Sequence, residues 1–115
     1  MIVDAAMNDL LRPSLYKAHH DVCNVKDKKD NLKKWNVVGP VCESSDFLAK
    51  NASLDVHEDD LIVVKKAGAY GFVMSSNYNS RPKACEILID GDQSKIIRQR
   101  ETLDDLIEKE KIEND

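Results

Sequence analysis

The sequence lacks the long apolar segment that a membrane protein would need. No apolar run approaches the length of a helix that spans a bilayer. The first residues, Met1–Asp4, also lack the charged and apolar regions of a signal peptide. Charged residues make up 33% of the 115 residues, and the formal net charge is −4. These features predict a soluble, cytoplasmic protein that forms one domain, residues 1–115, around one modest core.

Concentrated positive charge and closely paired cysteines are missing as well. Acidic residues outnumber basic ones, 21 to 17, so nucleic-acid binding is not supported. The one basic cluster, Lys26–Lys34, is interrupted by Asp27 and Asp30. We interpret it as a solvated hairpin turn, with a phosphate-binding patch as the less favoured alternative. The three cysteines are an odd number without close pairing, which favours reduced thiols in a reducing compartment.

Several familiar site signatures are absent too. No Ser-His-Asp arrangement is evident, and the glycines fit neither a Walker nor a Rossmann phosphate loop. His19, His20 and Cys23 could suggest zinc, but a second Cys/His pair at ligand spacing is missing. We therefore expect no metal site, and we interpret His20 as a packed or hydrogen-bonded core histidine.

The order of apolar and turn residues predicts a mostly β protein with a few helical turns and a terminal helix. His20–Val25 and Asn31–Val38 are expected to pair as an antiparallel hairpin, and Asp90-Gly91 is a hairpin turn signal. The predicted strands are Ile2–Val3, His20–Val25, Asn31–Val38, Leu61–Val64, Cys85–Asp90 and Lys95–Gln99, and the predicted helical turns are Ala6–Tyr16 and Asp46–Ala49.

The terminal helix is predicted to begin with a capping box at Thr102–Asp105. Its apolar stripe comprises Leu103, Leu106 and Ile107, Lys109 and Lys111 are placed to interact with the helix dipole, and the charged tail after Ile112 is expected to fray. Before it, the alternation of Cys85 with two isoleucines indicates a core position for Cys85. The polar segment Asn77–Pro82 is interpreted as a turn with an internally satisfied hydrogen-bond network.

The segment Gly39–Asp46 places a thiol directly beside a carboxylate. A Gly-Pro pair ends the preceding strand, so Cys42 and Glu43 emerge where a rigid element gives way to a loop. A thiol can transfer a proton, and a carboxylate can bind a cationic group on a substrate. The alternative, a core thiol and a surface acid, is about as well supported by the residues alone.

Two further segments carry candidate binding residues. Arg12 and Tyr16 have the spacing of neighbours on one helical face, and Pro13 is expected to disfavour helix at Arg12. Arg can hold a carboxylate and Tyr can add a hydroxyl, although spacing alone favours a surface Arg and a half-buried Tyr. In Ala67–Gly71, small residues allow close approach of a ligand, and Tyr70 could touch an aromatic or phosphorylated cofactor. The alternative there is a bulge that turns a barrel corner.

Taken in order, four stretches of the sequence resemble the C-terminal part of the diaminopimelate decarboxylases, pyridoxal-phosphate enzymes of lysine biosynthesis. The stretches are VDAAMNDLLRPSLYKAHH, VVGPVCESSDFLA, AGAYGFVMSSNYNSRP, and EILIDG followed by IIRQRETLDDL. The wider family resembles alanine racemase and ornithine decarboxylase in fold. The resemblance implies a mostly β fold with short helices, the C-terminal β-barrel or sandwich domain of an enzyme whose N-terminal part is a TIM-type barrel.

The resemblance also implies an activity, the pyridoxal 5'-phosphate-dependent decarboxylation of meso-2,6-diaminopimelate to L-lysine and carbon dioxide. Cys42 matches the family's catalytic cysteine, which protonates the carbon that has lost carbon dioxide. Glu43 matches a contact to the distal end of the substrate, Arg12 and Tyr16 match substrate-binding positions, and Tyr70 matches a position near cofactor and substrate. Cys42 and Glu43 reach into the neighbouring subunit's site in the family, which implies a homodimer with shared active sites.

The departures from the family pattern matter equally. The family's cofactor-anchoring lysine, its glycine-rich phosphate segment and most of its barrel have no counterpart in the sequence. We therefore expect a C-terminal fragment that has little or no activity alone and exposes apolar surface. Ala6 stands where the family usually has glycine, so strain is expected in the turn before Arg12. The alternatives are a decarboxylase of the ornithine or arginine type, or a stand-alone, non-catalytic β module that binds a partner chain.

Overall fold

The computed structural model describes residues 1–111, and the chain divides into two compact units, Met1–Ser75 and a second that begins at Ser76. Strands predominate and the helices are short, which confirms the predicted class. The elements are α1 (Arg12–Tyr16), β1 (Val22–Asn24), β2 (Lys33–Val38), β3 (Phe47–Leu54), β4 (Ile62–Val64), α2 (Gly71–Met74), a 3-10 turn (Tyr78–Ser80), β5 (Glu86–Asp90), β6 (Gln93–Arg98) and α3 (Leu103–Ile107).

The strands form three antiparallel pairs. β1 pairs with β4, β2 with β3, and β5 with β6. Among residues 1–111 these pairs do not join into one closed barrel. Within the same residues, no helix has the length and apolar character needed to cross a membrane.

The core of the first unit lies on the β2–β3 hairpin. Leu48 and Leu54 of β3 and Val37 of β2 are almost fully buried, and Leu10 packs against them from the turn before α1. A short parallel bridge extends this sheet, because the Val3 N–H donates to the Val38 carbonyl at 2.9 Å. This bridge is the strand stub predicted at Ile2–Val3.

Two of the predicted elements of the first unit are wrong. His20–Val25 and Asn31–Val38 do not pair with each other, because β1 runs beside β4 and β2 beside β3. The segment Lys26–Lys34 is therefore not a hairpin turn: it connects two separate sheets, and its last two residues already belong to β2. The helical turn predicted for Asp46–Ala49 is also wrong, since β3 begins at Phe47 and pairs with β2. Short apolar segments have no local signal that separates these outcomes, and the pairing partner decides.

The expectation for Arg12 is wrong, and the expectation for His20 is confirmed. Arg12 is the first helical residue, contrary to the expected effect of Pro13. Pro13 lies in the first turn, where its missing N–H removes no helical hydrogen bond, so helix and proline are compatible. His20 is confirmed as a hydrogen-bonded core histidine, because it is buried and its Nδ1 lies 3.1 Å from the Lys65 carbonyl oxygen.

The second unit is built on the β5–β6 hairpin. Asp90-Gly91 forms the predicted turn, and Gly91 has a φ of 60°, a conformation that glycine adopts without strain. The core position predicted for Cys85 is wrong: Cys85 is half-buried, and Ile87 and Ile89 beside it are 52% and 65% exposed. The turn network predicted for Asn77–Pro82 is confirmed by the Asn77 side chain, which donates to the Arg81 carbonyl at 3.1 Å.

The capping box of the terminal helix is confirmed. The Thr102 Oγ1 accepts from the Asp105 N–H, and the Asp105 carboxylate accepts from the Thr102 N–H at 2.6 Å. The helix ends at Ile107 and has no basic residue in its last turn. The expectation that Lys109 and Lys111 lie near the helix end and interact with its dipole is therefore wrong. The frayed tail expected after Ile112 lies outside the described residues.

Candidate functional site

Helix α1 presents the first pair of predicted site residues. It has five residues, and it ends because Lys17 adopts a left-handed conformation with a φ of 55°. Arg12 and Tyr16 are its first and last residues, so their spacing puts them on one face, as predicted. Arg12 is half-buried, whereas Tyr16 is 63% exposed and can reach a ligand.

Arg12 also meets a residue from a distant part of the chain. Its guanidinium carbon lies 5.0 Å from the centroid of the Tyr70 ring, which is the geometry of a cation–π contact. A carboxylate binds to the N–H groups of a guanidinium, which carries five donors and can contact a ring and an anion at the same time. Tyr70 can therefore hold Arg12 while the guanidinium remains able to bind an anion.

Tyr70 lies in a turn, not in a bulge. The segment Ala67–Gly71 connects β4 to α2, and Tyr70 immediately precedes the helix. Its side chain is 53% exposed, so its ring can touch both Arg12 and a second group. The alternative interpretation of this segment, a bulge that turns a barrel corner, is therefore wrong.

The second pair of predicted site residues lies on the thiol loop, which we define as Gly39–Asp46. Val38 and Phe47 on either side of it are register partners, so the loop closes the β2–β3 hairpin. Cys42 is exposed, which excludes the core-thiol interpretation. Glu43 is half-buried, and its Oε1 lies 3.4 Å from the Ser45 N–H nitrogen. The loop thus presents its thiol outward and holds its carboxylate close to its own backbone.

Asp46 connects the thiol loop to the segment that leads into α1. It is 5% exposed, and its Oδ1 accepts from the Met7 N–H at 2.7 Å while its Oδ2 accepts from the Val41 N–H at 2.9 Å. A second connection comes from α1 itself, because the Ser14 hydroxyl donates to the Ser45 carbonyl at 2.7 Å. The elements that carry Arg12 and Cys42 are therefore fixed to each other by side chains.

Gly39 and Ala6 allow this close approach. A Cβ on Gly39 would lie 2.5 Å from the Asp46 Oδ2 and 2.6 Å from the Ala6 Cβ, which is too short for a real contact. Ala6 is fully buried and does not have a positive φ. The strain expected from alanine at this position is therefore wrong, because its backbone conformation suits any L residue.

The structure thus groups the five predicted residues as two sets. Arg12 contacts Tyr70 and shares α1 with Tyr16, while Cys42 and Glu43 share the thiol loop. Sequence reasoning missed Ser14 and Asp46, which connect the two sets. Serine and aspartate are common in loops, and only long-range partners distinguish these two from ordinary turn residues. The one available signal was the placement of Asp46 between a Gly-Pro turn and an apolar strand.

The histidine and cysteine cluster considered for zinc is dispersed. His19 is exposed with its Nε2 3.2 Å from an Asp21 oxygen, and His20 faces the Lys65 carbonyl. Within residues 1–111, no three metal-ligating side chains come together.

Comparison with known sequences identifies close relatives. A family model described as the C-terminal sheet domain of pyridoxal-dependent decarboxylases matches residues 1–68. A diaminopimelate decarboxylase of Pseudomonas aeruginosa is 54% identical over 105 residues, which is 91% of this chain and 25% of that protein. The diaminopimelate decarboxylase of Vibrio cholerae is 50% identical over 105 residues, again 91% of this chain and 25% of the relative. This chain thus spans about a quarter of the length of these relatives.

Solved structures give the same result. The diaminopimelate decarboxylase of Helicobacter pylori complexed with L-lysine superposes with a TM-score of 0.85 at 49% identity, over 93% of this chain and 27% of that chain. The diaminopimelate decarboxylase from M. jannaschii in complex with L-lysine superposes with a TM-score of 0.91 at 37% identity, over 97% of this chain and 26% of that chain.

Proposed function

Because this chain belongs to the family of pyridoxal-dependent decarboxylase C-terminal sheet domains, we propose that residues 1–115 form the C-terminal β domain of a diaminopimelate decarboxylase. The proposed reaction converts meso-2,6-diaminopimelate to L-lysine and carbon dioxide. One observation carries the proposal beyond the sequence match: an exposed thiol and a guanidinium in cation–π contact with Tyr70 lie on two elements that Asp46 and Ser14 fix to each other.

Cys42 is the proposed proton donor. Loss of carbon dioxide breaks a carbon–carbon bond and leaves an electron pair, and the pyridine ring of the cofactor, when bound, takes up that charge. The carbon must then receive one proton. The Cys42 thiol can supply this proton, becoming a thiolate, before solvent protonates the carbon. An exposed thiol on an anchored loop can be placed at a fixed position against a substrate, which an untethered loop would not achieve.

Arg12, Tyr16 and Glu43 are the proposed substrate-binding residues. The distal head of diaminopimelate carries a carboxylate and an ammonium group. The Arg12 guanidinium can bind the carboxylate, Tyr16 can add a hydroxyl, and the Glu43 carboxylate can bind the ammonium. A decarboxylase for ornithine or arginine has no distal carboxylate to recognise, so Arg12 favours the diaminopimelate reaction.

Tyr70 is the proposed contact to pyridoxal 5'-phosphate. Its exposed ring suits contact with an aromatic, phosphorylated group, while the guanidinium of Arg12 beside it is assigned to the substrate carboxylate. No lysine of this chain is assigned to anchor the cofactor. In our proposal that lysine belongs to the part of the relatives that this chain does not span. The exposed position of Cys42 also suits a homodimer in which each thiol loop completes the partner's site. We propose that this dimer is cytoplasmic.

A chimera tests this proposal. In the chimera, this chain replaces the matching quarter of the Pseudomonas aeruginosa relative. With pyridoxal 5'-phosphate added, we expect carbon dioxide release from meso-diaminopimelate and none from L-ornithine or L-arginine. Release from ornithine or arginine instead would establish the alternative decarboxylase. A folded chimera that is inactive on all three substrates would contradict the proposal and favour a non-catalytic module.

A further inference from the structure

We infer that Asp46 is a positioning residue, which sets where the Cys42 thiol stands relative to α1. The inference rests on the proposed function for its catalytic consequence, and on the hydrogen bonds of Asp46 for its physical basis. Nothing in the chemistry of a proton donor or a substrate grip assigns a role to Asp46, since it is buried and lies outside both groups of site residues.

Burying a carboxylate costs free energy unless it is hydrogen-bonded. A charged group that is 5% exposed is stabilised only if its oxygens find donors. Asp46 has two, one on each oxygen, and both are backbone N–H groups rather than mobile side chains. Such charge-assisted hydrogen bonds are short and directional, so they fix the two donor segments in space.

The two donors to Asp46 lie on segments that are far apart in the sequence. The Val41 N–H comes directly before Cys42, and the Met7 N–H comes from a segment that is far away in sequence. Met7 follows Ala6, and the Asp9 and Leu10 N–H groups fold back to the Ala6 carbonyl at 2.9 and 3.2 Å. That compact turn runs directly into α1. One carboxylate therefore connects the two segments whose separation sets the placement of Cys42 against Arg12.

An amide cannot replace the Asp46 carboxylate. Asparagine has one acceptor oxygen, and its NH₂ group would point at a second N–H donor. Asp46→Asn keeps the shape of the side chain but loses one of the two connections. The Ser14 hydroxyl would still hold α1 to the Ser45 carbonyl, so the unit is expected to remain folded with a thiol loop that is less well placed.

Asp55→Asn provides a matched control. Asp55 is also 5% exposed, and its Oδ2 accepts a backbone N–H, that of Asn31, at 3.0 Å. It lies away from the thiol loop. The two variants thus remove the same kind of buried carboxylate, and only one of them connects Cys42 to α1.

The first test uses amide hydrogen exchange of the 115-residue chain, followed by NMR. We expect Asp46→Asn to accelerate exchange at Met7 or Val41 by about ten- to a hundred-fold, the effect of losing one hydrogen bond to a charged group. Asp55→Asn keeps an acceptor oxygen for its one bond from the Asn31 N–H, so it is expected to leave exchange at Met7 and Val41 as in the parent. Unchanged exchange at both Met7 and Val41 in Asp46→Asn would overturn the inference.

The second test measures turnover in the chimera. With the proton donor misplaced, kcat should fall by about ten- to a hundred-fold, and the ratio of kcat in H₂O to kcat in D₂O should rise as proton transfer becomes limiting. Asp55→Asn is expected to keep the parent's isotope ratio. If Asp46→Asn lowered only the fraction of folded enzyme, that ratio and the KM would stay constant, and the positioning role would be wrong.

The role of Asp46 can still be tested if the parent chimera is inactive or if Asp46→Asn does not fold. If the parent chimera does not turn over, the proposed function fails, while hydrogen exchange still decides whether Asp46 holds the thiol loop. If Asp46→Asn does not fold, an ester in place of the Met7 amide removes the same donor without changing a side chain. That ester should produce the same rise in the isotope ratio, and a normal ratio would contradict the inference.

Discussion

At the scale of single residues, the thiol loop depends on the absence of a side chain at Gly39. A methyl group there would overlap the Asp46 carboxylate and Ala6, with contacts of 2.5 and 2.6 Å. We predict that Gly39→Ala lowers the free energy of unfolding by about 1–3 kcal/mol, as other overpacked sites do. Urea unfolding of the isolated chain measures this change. Gly68→Ala is the control, because nothing lies within 4 Å of its Cβ, and equal stability losses in both variants would contradict the steric explanation.

Arg12 should recognise the substrate carboxylate by the geometry of its N–H groups as well as by its charge. Lysine keeps the positive charge but cannot bind a carboxylate through two parallel N–H groups or stack in the same way on Tyr70. We predict that Arg12→Lys in the chimera raises the KM for meso-diaminopimelate about ten-fold or more, the effect of losing one charge-assisted hydrogen bond. Arg98→Lys, in an exposed ion pair with Glu86, is the matched control. An unchanged KM in Arg12→Lys would remove Arg12 from the substrate site.

The residues of the site differed in how far the sequence could predict them. The spacing of Arg12 and Tyr16 follows from a local pattern, and the structure agrees with it. The local pattern around Cys42 left a loop thiol and a core thiol about equally supported, and the structure shows the thiol exposed. Ser14 and Asp46 act through partners on distant segments. No local pattern encodes such a partner, because serine and aspartate satisfy many kinds of turn.

At the scale of elements, local signals predicted where elements lie better than how they pair. The Asp90-Gly91 turn and the Thr102 capping box are encoded within a few neighbouring residues, and both are present. The pairing of β1 with β4 is a long-range choice. The sequence between them contains a hairpin, β2–β3, whose first strand could equally have been assigned to β1, so strand pattern alone could not identify the partner.

The connection between β1 and β2 is held to the turn before β4 by a pH-sensitive contact. The Asp60 carboxylate accepts from the Lys28 ammonium at 2.8 Å and from the His57 N–H at 2.9 Å. Hydrogen bonds from Lys28 and then from the His57 backbone lower the pKa of Asp60 from 3.8 to about 2. Because the folded pKa is depressed, this contact stabilises the fold fully above about pH 3.8 and is lost as the pH falls through about 2.

We predict that Asp60→Asn removes that part of the acid dependence. The urea midpoint of the parent chain should fall between about pH 4 and pH 2 more steeply than that of Asp60→Asn, with the two converging at the acid end. Asp59→Asn is the control, since asparagine also tolerates the left-handed φ of 65° found at Asp59. Parallel midpoints for Asp60→Asn and the parent over this range would contradict the assignment.

At the scale of the whole molecule, the family resemblance predicted the class of fold, a barrel or sandwich of strands with short helices. Strands with short helices are present, yet among residues 1–111 they form separate pairs. The β5–β6 hairpin exposes large apolar side chains on both strands, with Ile89 at 65% and Ile97 at 58% exposure. A two-stranded sheet of this kind has little core of its own. The resemblance predicted such exposed apolar surface, and the chain spans about a quarter of the length of its relatives. Local patterning marks a strand as apolar but does not show what the strand packs against.

Removal of the Cys42 thiol in the chimera tests whether Cys42 is the proton donor proposed above. We predict that Cys42→Ala lowers kcat for meso-diaminopimelate by about 10²–10⁴, the usual contribution of a general acid. Cys85→Ala, which removes a half-buried thiol of the second unit, should leave kcat as in the parent. A Cys42→Ala chimera that releases carbon dioxide at the parent rate would contradict the account.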